Sequence, residues 1–550
     1  MMPRRTATVL FLIVLICLLH FGLRAHRPTH LPLFIDEDRH LRRAANVEDL
    51  WTLGLNSHGK YLLYILIAPF NTERSQALWA SRVAVALFSL VGLAALYRLT
   101  EKLFGRPAAF IAIGFYALAP YALFYERMAL ADGPAGVLAT LTALYSLTFA
   151  QRPNYRRATV VGLLVGLAAL AKLTMMFIAI LPVMAIFLFN QDRPQLPVAK
   201  ISNLHQMVNI LSKQFLANFR YLVVAGVVCI VVWLPVLLPV GTAIVTGQKY
   251  VLVDRYLAGD NLLKEGNWDK LVGIWNTFPM LLSPLMVVLI LFCVALLVWK
   301  APRRANYVLF WLVLAYLPTI LLVGWVQTRY FTPGIFPLAM LLGAGIVATQ
   351  DIRVPKVSIQ PSRLLPALLT VVVVMWGVFY ALPFAYDAAY DAPKIELPDR
   401  DEKQYYQTRY SAYGLLDAMD YLEAKGKPAG RRVEVMGVMF LCESMDLYTY
   451  PKVDLTCLSD GYTNPSINNA WQTLTARAQE EQPLYLIVED YRDIPTSDSE
   501  LTWQRLQSIQ RPKDGVWVTV WEVCPADNQA GVCGDNVKAP LSTSDADTPQ

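Results

Sequence analysis

The chain has 550 residues, of which 55% are hydrophobic and only 16% charged, with a formal net charge of +6. An average soluble protein is about 25% charged, and a soluble nucleic-acid-binding protein concentrates its positive charge in a patch or stripe. Here the apolar residues come in blocks of about twenty, the length that a helix needs to cross a bilayer. These features exclude an ordinary soluble protein and indicate an integral membrane protein without a nucleic-acid partner.

The first apolar block, 6–23, follows Arg4 and Arg5 and has the features of either a signal peptide or a retained first span. It lacks a convincing small-residue cleavage site, which favours a retained span. Further blocks lie at 76–98, 107–125, 133–150, 158–171, 173–190, 221–240, 275–299, 306–325, 333–349 and 364–383. The sequence therefore predicts a mainly α-helical, polytopic transmembrane bundle of about eleven spans.

Charges in the short loops predict the orientation of this bundle. With the N-terminus in the cytoplasm, the cytoplasmic loops are rich in cations, as at Lys300, Arg303 and Arg304, which is the usual bias. We therefore expect a multi-pass protein of the plasma (inner) membrane with its C-terminal region outside the cytoplasm. Lys172 interrupts the apolar stretch 158–190, where two short helices and one long hairpin fit equally well.

The composition becomes polar after about residue 384. Apolar residues at helical spacing in 414–425 indicate a helix there. Strand-like apolar runs follow at 433–436, 484–488 and 516–523. The sequence thus predicts three regions, namely a transmembrane domain (1–384), an extracytoplasmic α/β domain (385–535) and a disordered acidic tail (536–550).

Four cysteines lie in this C-terminal region, namely Cys442, Cys457, Cys524 and Cys533. An oxidising compartment permits disulfides, and four cysteines allow three pairings. We expect near neighbours to pair, 442 with 457 and 524 with 533.

The first outer loop carries consecutive acids, Asp36 and Glu37, just beyond an apolar run. A carboxylate held at the membrane surface can act as a general base. The same residues suit a structural role. In it, Asp36 caps the N-terminus of a short surface helix, and Glu37 interacts favourably with the positive end of the helix dipole. Both interpretations stay open at the level of local sequence.

The segment 56–70 is too short to span a membrane comfortably and carries Tyr61 and Tyr64 among aliphatic residues. This composition predicts an interfacial helix in the headgroup layer. Lys60 stands at its start, where it can pair with a lipid phosphate as a compact cation or snorkel to the interface.

Further charged residues fall at the predicted outer ends of later spans. Asp132 precedes Gly133 and Pro134, so it suits an N-cap, yet Arg127 lies at the same depth and ionisable groups there are expensive. Lys172 either faces a cavity or snorkels to the headgroups. Arg329 can bind phosphate oxygens in a bidentate manner or anchor the interface together with Tyr330.

Acids at 36–37 and 132 and cations at 60, 172 and 329 all fall at one predicted membrane surface. Acid and cation together at the headgroup level suit a substrate that is a lipid phosphate carrying a reactive group outside the bilayer.

In their order and membrane side, these motifs resemble the GT-C superfamily of membrane glycosyltransferases. The chain looks closest to the branch of the protein O-mannosyltransferases and the lipid A aminoarabinose transferase. The resemblance covers about residues 1–385 and rests on Asp36-Glu37, HGKYLLY (58–64), Arg127 with Asp132, GLAALAK (166–172), and Arg329 and Tyr330 with Pro333. The segment around Lys60 departs from the family pattern, because His58 and Gly59 replace the usual residues and the prolines after Lys60 are missing.

The resemblance implies an inverting hexosyl- or pentosyltransferase that moves a sugar from a polyprenyl-phosphate donor to a protein, lipid or glycan acceptor at the extracytoplasmic face. It implies catalytic residues Asp36, Glu37 and Asp132, with Asp36 as the base. Lys60, Lys172 and Arg329 are the implied ligands of the donor phosphate. The implied substrate pocket contains His58, Tyr64, Arg127 and Tyr330.

Some relatives place a divalent metal between carboxylates, but the sequence offers no full ligand set, so we expect transfer without a metal or other cofactor. A secondary transporter is the main alternative, although such proteins usually show internal repeats and this sequence has none that we detect. A membrane scaffold that has lost its activity is a second alternative.

Overall fold

The computed structural model describes residues 4–45, 47, 49–57, 59–70, 74–190, 204–247, 267–322, 327–351, 361–426, 433–438, 441–442, 445, 453–458, 467–480, 483–489 and 501–526. The chain divides into two compact units. The first unit comprises residues 1–31, 39–72 and 79–398. The second comprises residues 32–38, 73–78 and 399–550. The predicted domain boundary at residue 384 stays a prediction.

Helices form the first unit, and two of them begin within residue ranges of the second unit. The helices in chain order are α1 (Arg4–Ala25), α2 (Ile35–Ala44), α3 (Leu50–Asn56), α4 (Tyr61–Ile67), α5 (Arg74–Phe104), α6 (Arg106–Leu118), α7 (Pro120–Glu126), α8 (Asp132–Gln151), α9 (Tyr155–Ala171), α10 (Leu181–Phe189), α11 (Leu204–Val245), α12 (Asn267–Leu282), α13 (Pro284–Lys300), α14 (Pro302–Leu322), α15 (Ile335–Ala348), α16 (Pro361–Trp376) and α17 (Leu382–Tyr390).

Six of the described helical segments are long and apolar enough to cross a membrane, namely Thr6–His30, Gln76–Phe104, Asp132–Gln151, Ser212–Val245, Thr328–Ala348 and Leu364–Tyr390. The number is eight if each of two bent pairs is one span: α6 with α7, bent by 54°, and Trp275–Leu282 with α13, bent by 112°. The membrane-spanning helical bundle is thereby confirmed, whereas the total of about eleven spans stays a prediction.

The apolar stretch around Lys172 forms two helical segments. Helix α9 ends at Ala171, and Lys172 has an extended backbone with φ −156° and ψ 123°. A 3-10 segment, Leu173–Ile180, then leads into α10. Lys172 therefore lies between two helical segments, where the regular α-helical backbone is interrupted.

Small residues allow the central helices to pack closely. Gly162 and Gly166 of α9 lie against Ala225 and Val232 of α11, where an added Cβ would find no room. Helix pairs in membranes commonly associate through such small residues, because without side chains between them the backbones can approach each other. This packing places α9, the helix that leads to Lys172, directly against α11.

The second unit contains the small α/β domain that the sequence predicts after the last span. Its five strands are β1 (Glu434–Val438), β2 (Asp454–Cys457), β3 (Leu484–Glu489), β4 (Leu501–Gln510) and β5 (Trp517–Pro525). They form one sheet in the order β2-β1-β3-β5-β4, in which β1 pairs in parallel with β2 and β3, and β5 pairs antiparallel with β3 and β4. The helices α18 (Asp399–Glu402), α19 (Leu415–Gly426) and α20 (Ile467–Glu480) accompany the sheet.

A disulfide joins Cys442 to Cys457, which confirms the first expected pair. Cys524 is also disulfide-bonded, and its expected partner Cys533 lies outside the described residues. Cys17, Cys229 and Cys293 are free. The position of this domain outside the cytoplasm stays a prediction.

Candidate functional site

Three predicted site residues meet in one buried group inside the first unit. The Asp132 carboxylate accepts a hydrogen bond from the Lys172 ammonium, with 2.5 Å between Oδ1 and Nζ. Its second oxygen, Oδ2, lies 3.9 Å from Nε of Arg329. The Lys172 ammonium also lies over the Tyr330 ring, 4.0 Å from the ring centre. The predicted acid and two of the predicted cations are thus in contact, and all three are buried.

Each of these charged residues stands where a helix begins or ends. Asp132 is the first residue of α8, and the N-cap is Ala131, so Asp132 is not the N-cap that the sequence also suggested. Lys172 immediately follows α9, and Arg329 lies in a 3-10 segment, Thr328–Gly334. The positive end of the α8 dipole favours the Asp132 carboxylate at this position.

A second group joins Lys60 to His40. The Lys60 ammonium lies 3.0 Å from Nε2 of His40. The other ring nitrogen, Nδ1, lies 2.8 Å from the carbonyl oxygen of Ala129. A carbonyl accepts only a protonated Nδ1, so Nε2 of a neutral His40 is the acceptor and Lys60 donates to it. His40 therefore fixes the direction of the Lys60 ammonium.

A backbone hydrogen bond links the two groups. Gly59, just before Lys60, accepts a hydrogen bond at its carbonyl from the amide of Leu173, just after Lys172, with 2.9 Å between the atoms. Lys60 and Lys172 are therefore neighbours across this bond. The structure brings the three predicted phosphate-binding cations into one region of the first unit.

Tyr64 lies in α4, one turn beyond Lys60, and is fully buried. Its hydroxyl donates to the carbonyl of Ser57 and accepts from the Arg43 guanidinium, at 3.0 Å and 3.1 Å. Tyr64 is thus a predicted pocket residue whose hydroxyl is engaged in holding the turn before Lys60.

Sequence reasoning did not assign His40 and Arg43 to the site. Both belong to α2, and His40 lies one helical turn after Asp36, on the same helix face. That spacing was the available signal. The partners of the two residues, Lys60 and Tyr64, lie in a separate segment at the start of α4, and local sequence does not indicate that contact.

Asp36 and Glu37 lie in the first turn of α2, which begins at Ile35. Glu37 is buried and accepts a hydrogen bond from the backbone amide of Phe34 at 3.3 Å, as in one half of a capping box. Asp36 is half-buried. The structure therefore gives Glu37 a helix-capping role, and Asp36 stands within the helix, not at the N-cap position suggested by the structural alternative.

Arg127 holds the end of another helix. Its buried guanidinium donates to the carbonyls of Leu23, His26 and Arg27, around the end of α1. Burial, helped by the nearby guanidinium of Arg82 and then by that of Arg24, lowers the pKa of Arg127 to about 10, so it stays charged at neutral pH. Arg127 thus caps backbone carbonyls, and the described contacts do not join it to the Lys172 group.

The last predicted pocket residue, His58, lies outside the described residues. Within the described part of the chain, no three His, Cys, Asp or Glu side chains gather as ligands for a metal ion. The Asp132 carboxylate contacts two cationic side chains of the protein itself, Lys172 and Arg329. The arrangement is suited to holding an anion beside those cations.

Solved structures with a similar fold include ArnT from Cupriavidus metallidurans. The apo form has a TM-score of 0.58 and 14% sequence identity, with 97% of this chain and 100% of that chain covered. The form bound to undecaprenyl phosphate has a TM-score of 0.52 and 13% identity, with 96% and 100% covered. At these identities the likeness shows the fold alone.

Sequence comparison adds a match to one segment. Residues 61–212, which include Asp132 and Lys172, match the dolichyl-phosphate-mannose-protein mannosyltransferase family. No curated protein matches the sequence. The chain therefore has the fold of ArnT, and its residues 61–212 are similar to the mannosyltransferase family.

Proposed function

We propose that this protein transfers a sugar from a polyprenyl-phosphate-linked donor to an acceptor at the extracytoplasmic face of the membrane. The observation that carries the proposal is the buried convergence of Lys172 and Arg329 on Asp132. It occurs in a fold shared with ArnT, of which one structure contains undecaprenyl phosphate. The fold favours a transferase over the transporter and scaffold alternatives.

The cations would bind the donor phosphate and stabilise it as it leaves. As the bond between the anomeric carbon and the phosphate oxygen breaks, its electron pair passes to the phosphate, which gains negative charge. Lys172, Arg329 and Lys60 are the groups that we assign to this charge. Preorganised cations in a site shielded from water are effective because they need no reorganisation during the reaction.

Asp36 is our proposed catalytic base. The acceptor hydroxyl loses its proton to the Asp36 carboxylate while its oxygen forms the bond to the anomeric carbon. A single displacement of this kind inverts the configuration at that carbon, whether the sugar is a hexose or a pentose. Glu37 and Asp132 then have supporting roles, since Glu37 caps α2 and Asp132 orients Lys172.

We also propose that transfer needs no divalent metal. In support, the Asp132 carboxylate is engaged by Lys172 and Arg329, whose charges repel a second cation. Turnover of the purified chain in excess EDTA should equal turnover without it, and a loss restored by Mg²⁺ or Mn²⁺ would contradict this part of the proposal.

The experiment begins with mass spectrometry of lipids that copurify with the protein, to identify the polyprenyl-phosphate sugar. Transfer from that lipid is then measured in membranes containing the parent chain or the variant Asp36→Asn. Loss of a general base typically lowers turnover by about 10²–10⁴-fold. We expect a loss of that size in Asp36→Asn, with the affinity for undecaprenyl phosphate unchanged.

Asp49→Asn is the matched control. Asp49 is exposed and its side chain caps α3, a role that Asn performs equally well. It should keep the parent turnover. Near-parent turnover of a correctly inserted Asp36→Asn would refute the assignment of the base, and transport of an intact lipid-linked sugar without its cleavage would instead establish the transporter alternative.

A further inference from the structure

The beginning of α2 is paired with a segment near the start of the C-terminal domain, inside the second unit. Phe34 and Ser411 form an antiparallel bridge. The Ile35 amide donates to the carbonyl of Tyr410, and the Ala412 amide donates to the carbonyl of Leu33, each at 3.0 Å. The Phe34 ring also contacts the Tyr405 ring, with 4.5 Å between centres. Two backbone hydrogen bonds and a ring contact therefore hold the residues that directly precede Asp36.

We call residues 403–413 the strap. The strap is bound to the sheet by Arg511, a buried arginine that directly follows β4. The Arg511 guanidinium donates to the carbonyl of Ser411 at 3.0 Å and to that of Tyr413 at 2.9 Å. Glu489 of β3 accepts from the same guanidinium at 2.5 Å, and neither side chain of this pair is exposed. A buried, charge-assisted contact of this kind defines a single orientation of the guanidinium.

The turn between β4 and β5 holds the strap at a second point, Gln407. The Val516 amide donates to the carbonyl of Gln407 at 2.9 Å, and the Gln407 side chain donates to the carbonyl of Lys513 at 3.1 Å. Gly515 permits this approach, since an added Cβ would lie 2.6 Å from the backbone of Gln407. The strap is thus held at Gln407 and again at Ser411 and Tyr413 by the same pair of strands, β4 and β5, and the turn between them.

We infer that Arg511 and Glu489 are positioning residues for the catalytic base, because they lock the strap to which the start of α2 is paired. Asp36 is two residues beyond the Phe34–Ser411 bridge, so the bridge sets where its carboxylate stands. The inference rests on the proposed role of Asp36. It gives the C-terminal domain a task in catalysis that requires no contact between that domain and the substrate.

The physical reason is geometric. A displacement of about 1 Å in a reacting group can cost about 10² in rate even when its chemistry is intact. Arg511 presents two nitrogen donors in a rigid plane to two carbonyls and a carboxylate, whereas a lysine offers one flexible ammonium. Arg511→Lys therefore keeps the charge next to Glu489 but loses the fork that holds Ser411 and Tyr413 together.

Turnover is the first readout, measured with Arg511→Lys and Glu489→Gln in the full chain. We expect kcat to fall by about 10–100-fold, with the donor KM and the affinity for undecaprenyl phosphate unchanged. The matched control is Arg505→Lys. Arg505 is exposed on the same strand and lies over the Trp521 ring, 5.3 Å from its centre, without contacting the strap, so its variant should behave as the parent.

Cross-linking gives a readout that is independent of the sugar donor. The Phe34–Ser411 bridge is a pair that exchanges no hydrogen bonds with itself, and such pairs bring side chains close together. The double variant Phe34→Cys/Ser411→Cys should form a disulfide in membranes under mild oxidation. Adding Arg511→Lys should slow formation of this disulfide at least about 10-fold, because residue 411 would no longer be held next to residue 34. Adding Arg505→Lys should not.

Rescue completes the test. In Arg511→Lys, the oxidised 34–411 cross-link should recover most of the lost kcat relative to the same protein kept reduced. Parent-level kcat in Arg511→Lys would overturn the inference, and so would a parallel loss of undecaprenyl phosphate affinity, which indicates general unfolding. If Asp36→Asn kept its activity while cross-linking still depended on Arg511, the assignment of Asp36 as the base would be wrong. The contact between Arg511 and the strap would still be supported. Failure of the proposed base is therefore distinguishable from failure of the proposed role of Arg511.

Discussion

Among single residues, Asp132 has surroundings that strongly favour a charged carboxylate. Its carboxylate contacts a lysine and an arginine in a buried place, and the N-terminal end of α8 favours its negative charge. Removing one partner of a buried ion pair commonly costs about 3–5 kcal/mol, because the remaining charge stays buried. The contacts to which we assign phosphate binding in the proposed function should therefore also stabilise the fold.

We predict that Asp132→Asn destabilises the protein more than Lys172→Met does. The first change removes the carboxylate that both cations contact, while the second leaves Asp132 beside Arg329. We expect a cost of about 3–5 kcal/mol for Asp132→Asn and less for Lys172→Met. The measurement is thermal unfolding of the purified full chain in detergent.

Lys300→Met is the control for these variants, since Lys300 is exposed and lies over the ring of Trp299. It should change the unfolding temperature little. The double variant Asp132→Asn/Lys172→Met should cost less than the sum of the single changes, because they share one interaction. An additive result would mean that the two side chains do not interact in solution.

At the scale of an element, the turn between α3 and α4 sets the position of Lys60. Gly59 has φ +73°, a left-handed conformation that disfavours residues with a Cβ. A Cβ at Gly59 would also lie 2.8 Å from the Cβ of Leu173, across the hydrogen bond that links the two cation groups. Glycine is therefore required here by both conformation and space.

We predict that Gly59→Ala lowers stability by at least about 1–2 kcal/mol and weakens binding of undecaprenyl phosphate, because it pushes Lys60 away from Lys172. Gly226→Ala is the control. Gly226 lies inside α11 with open space around its Cα, and alanine favours a helix interior by about 1 kcal/mol. Unchanged lipid affinity in Gly59→Ala would show that the turn does not position Lys60.

Individual elements differ in how well the sequence predicts them. Strands β1, β3 and β5 overlap the predicted runs, because each of them contains several apolar, buried residues. The sequence analysis did not predict β4. Its sequence, LTWQRLQSIQ, is largely polar, and apolar and polar residues alternate only weakly along it. It forms because the antiparallel ladder with β5 supplies its hydrogen bonds, which is information from outside the segment.

At the scale of the whole molecule, the C-terminal unit is small and depends on a covalent link. The Cys442–Cys457 disulfide joins residues 15 apart and ties the end of β2 to the chain that follows β1. In the chain-entropy account, closing a loop of that length stabilises a protein by about 3 kcal/mol at 25 °C. If Arg511 and Glu489 act as proposed, loosening this unit also affects turnover.

We therefore predict that Cys442→Ser/Cys457→Ser lowers the stability of the C-terminal unit by about 2–4 kcal/mol and lowers kcat. The measurements are protease sensitivity of the full chain in membranes and turnover in the transfer assay. Cys229→Ser is the control, since Cys229 is a free cysteine of α11. Equal protease sensitivity in the double variant and in the control would contradict the prediction.

The sequence by itself determined that this is a helical membrane protein with a polar C-terminal α/β domain, because hydrocarbon thickness and backbone hydrogen bonding leave few alternatives for long apolar blocks. It also singled out Asp132, Lys172 and Arg329 as costly charges at membrane depth. What it left open was whether these residues were caps and anchors or one group.

Only the tertiary structure decided that question. Lys172 meets Asp132 across 40 residues, Lys60 meets His40 across 20, and Arg511 meets Ser411 across 100. Such pairings depend on how helices and strands pack, and no local periodicity carries that information. For the same reason, only the structure showed that Glu37 and Arg127 make hydrogen bonds at helix ends, and their predicted catalytic and pocket roles stay predictions.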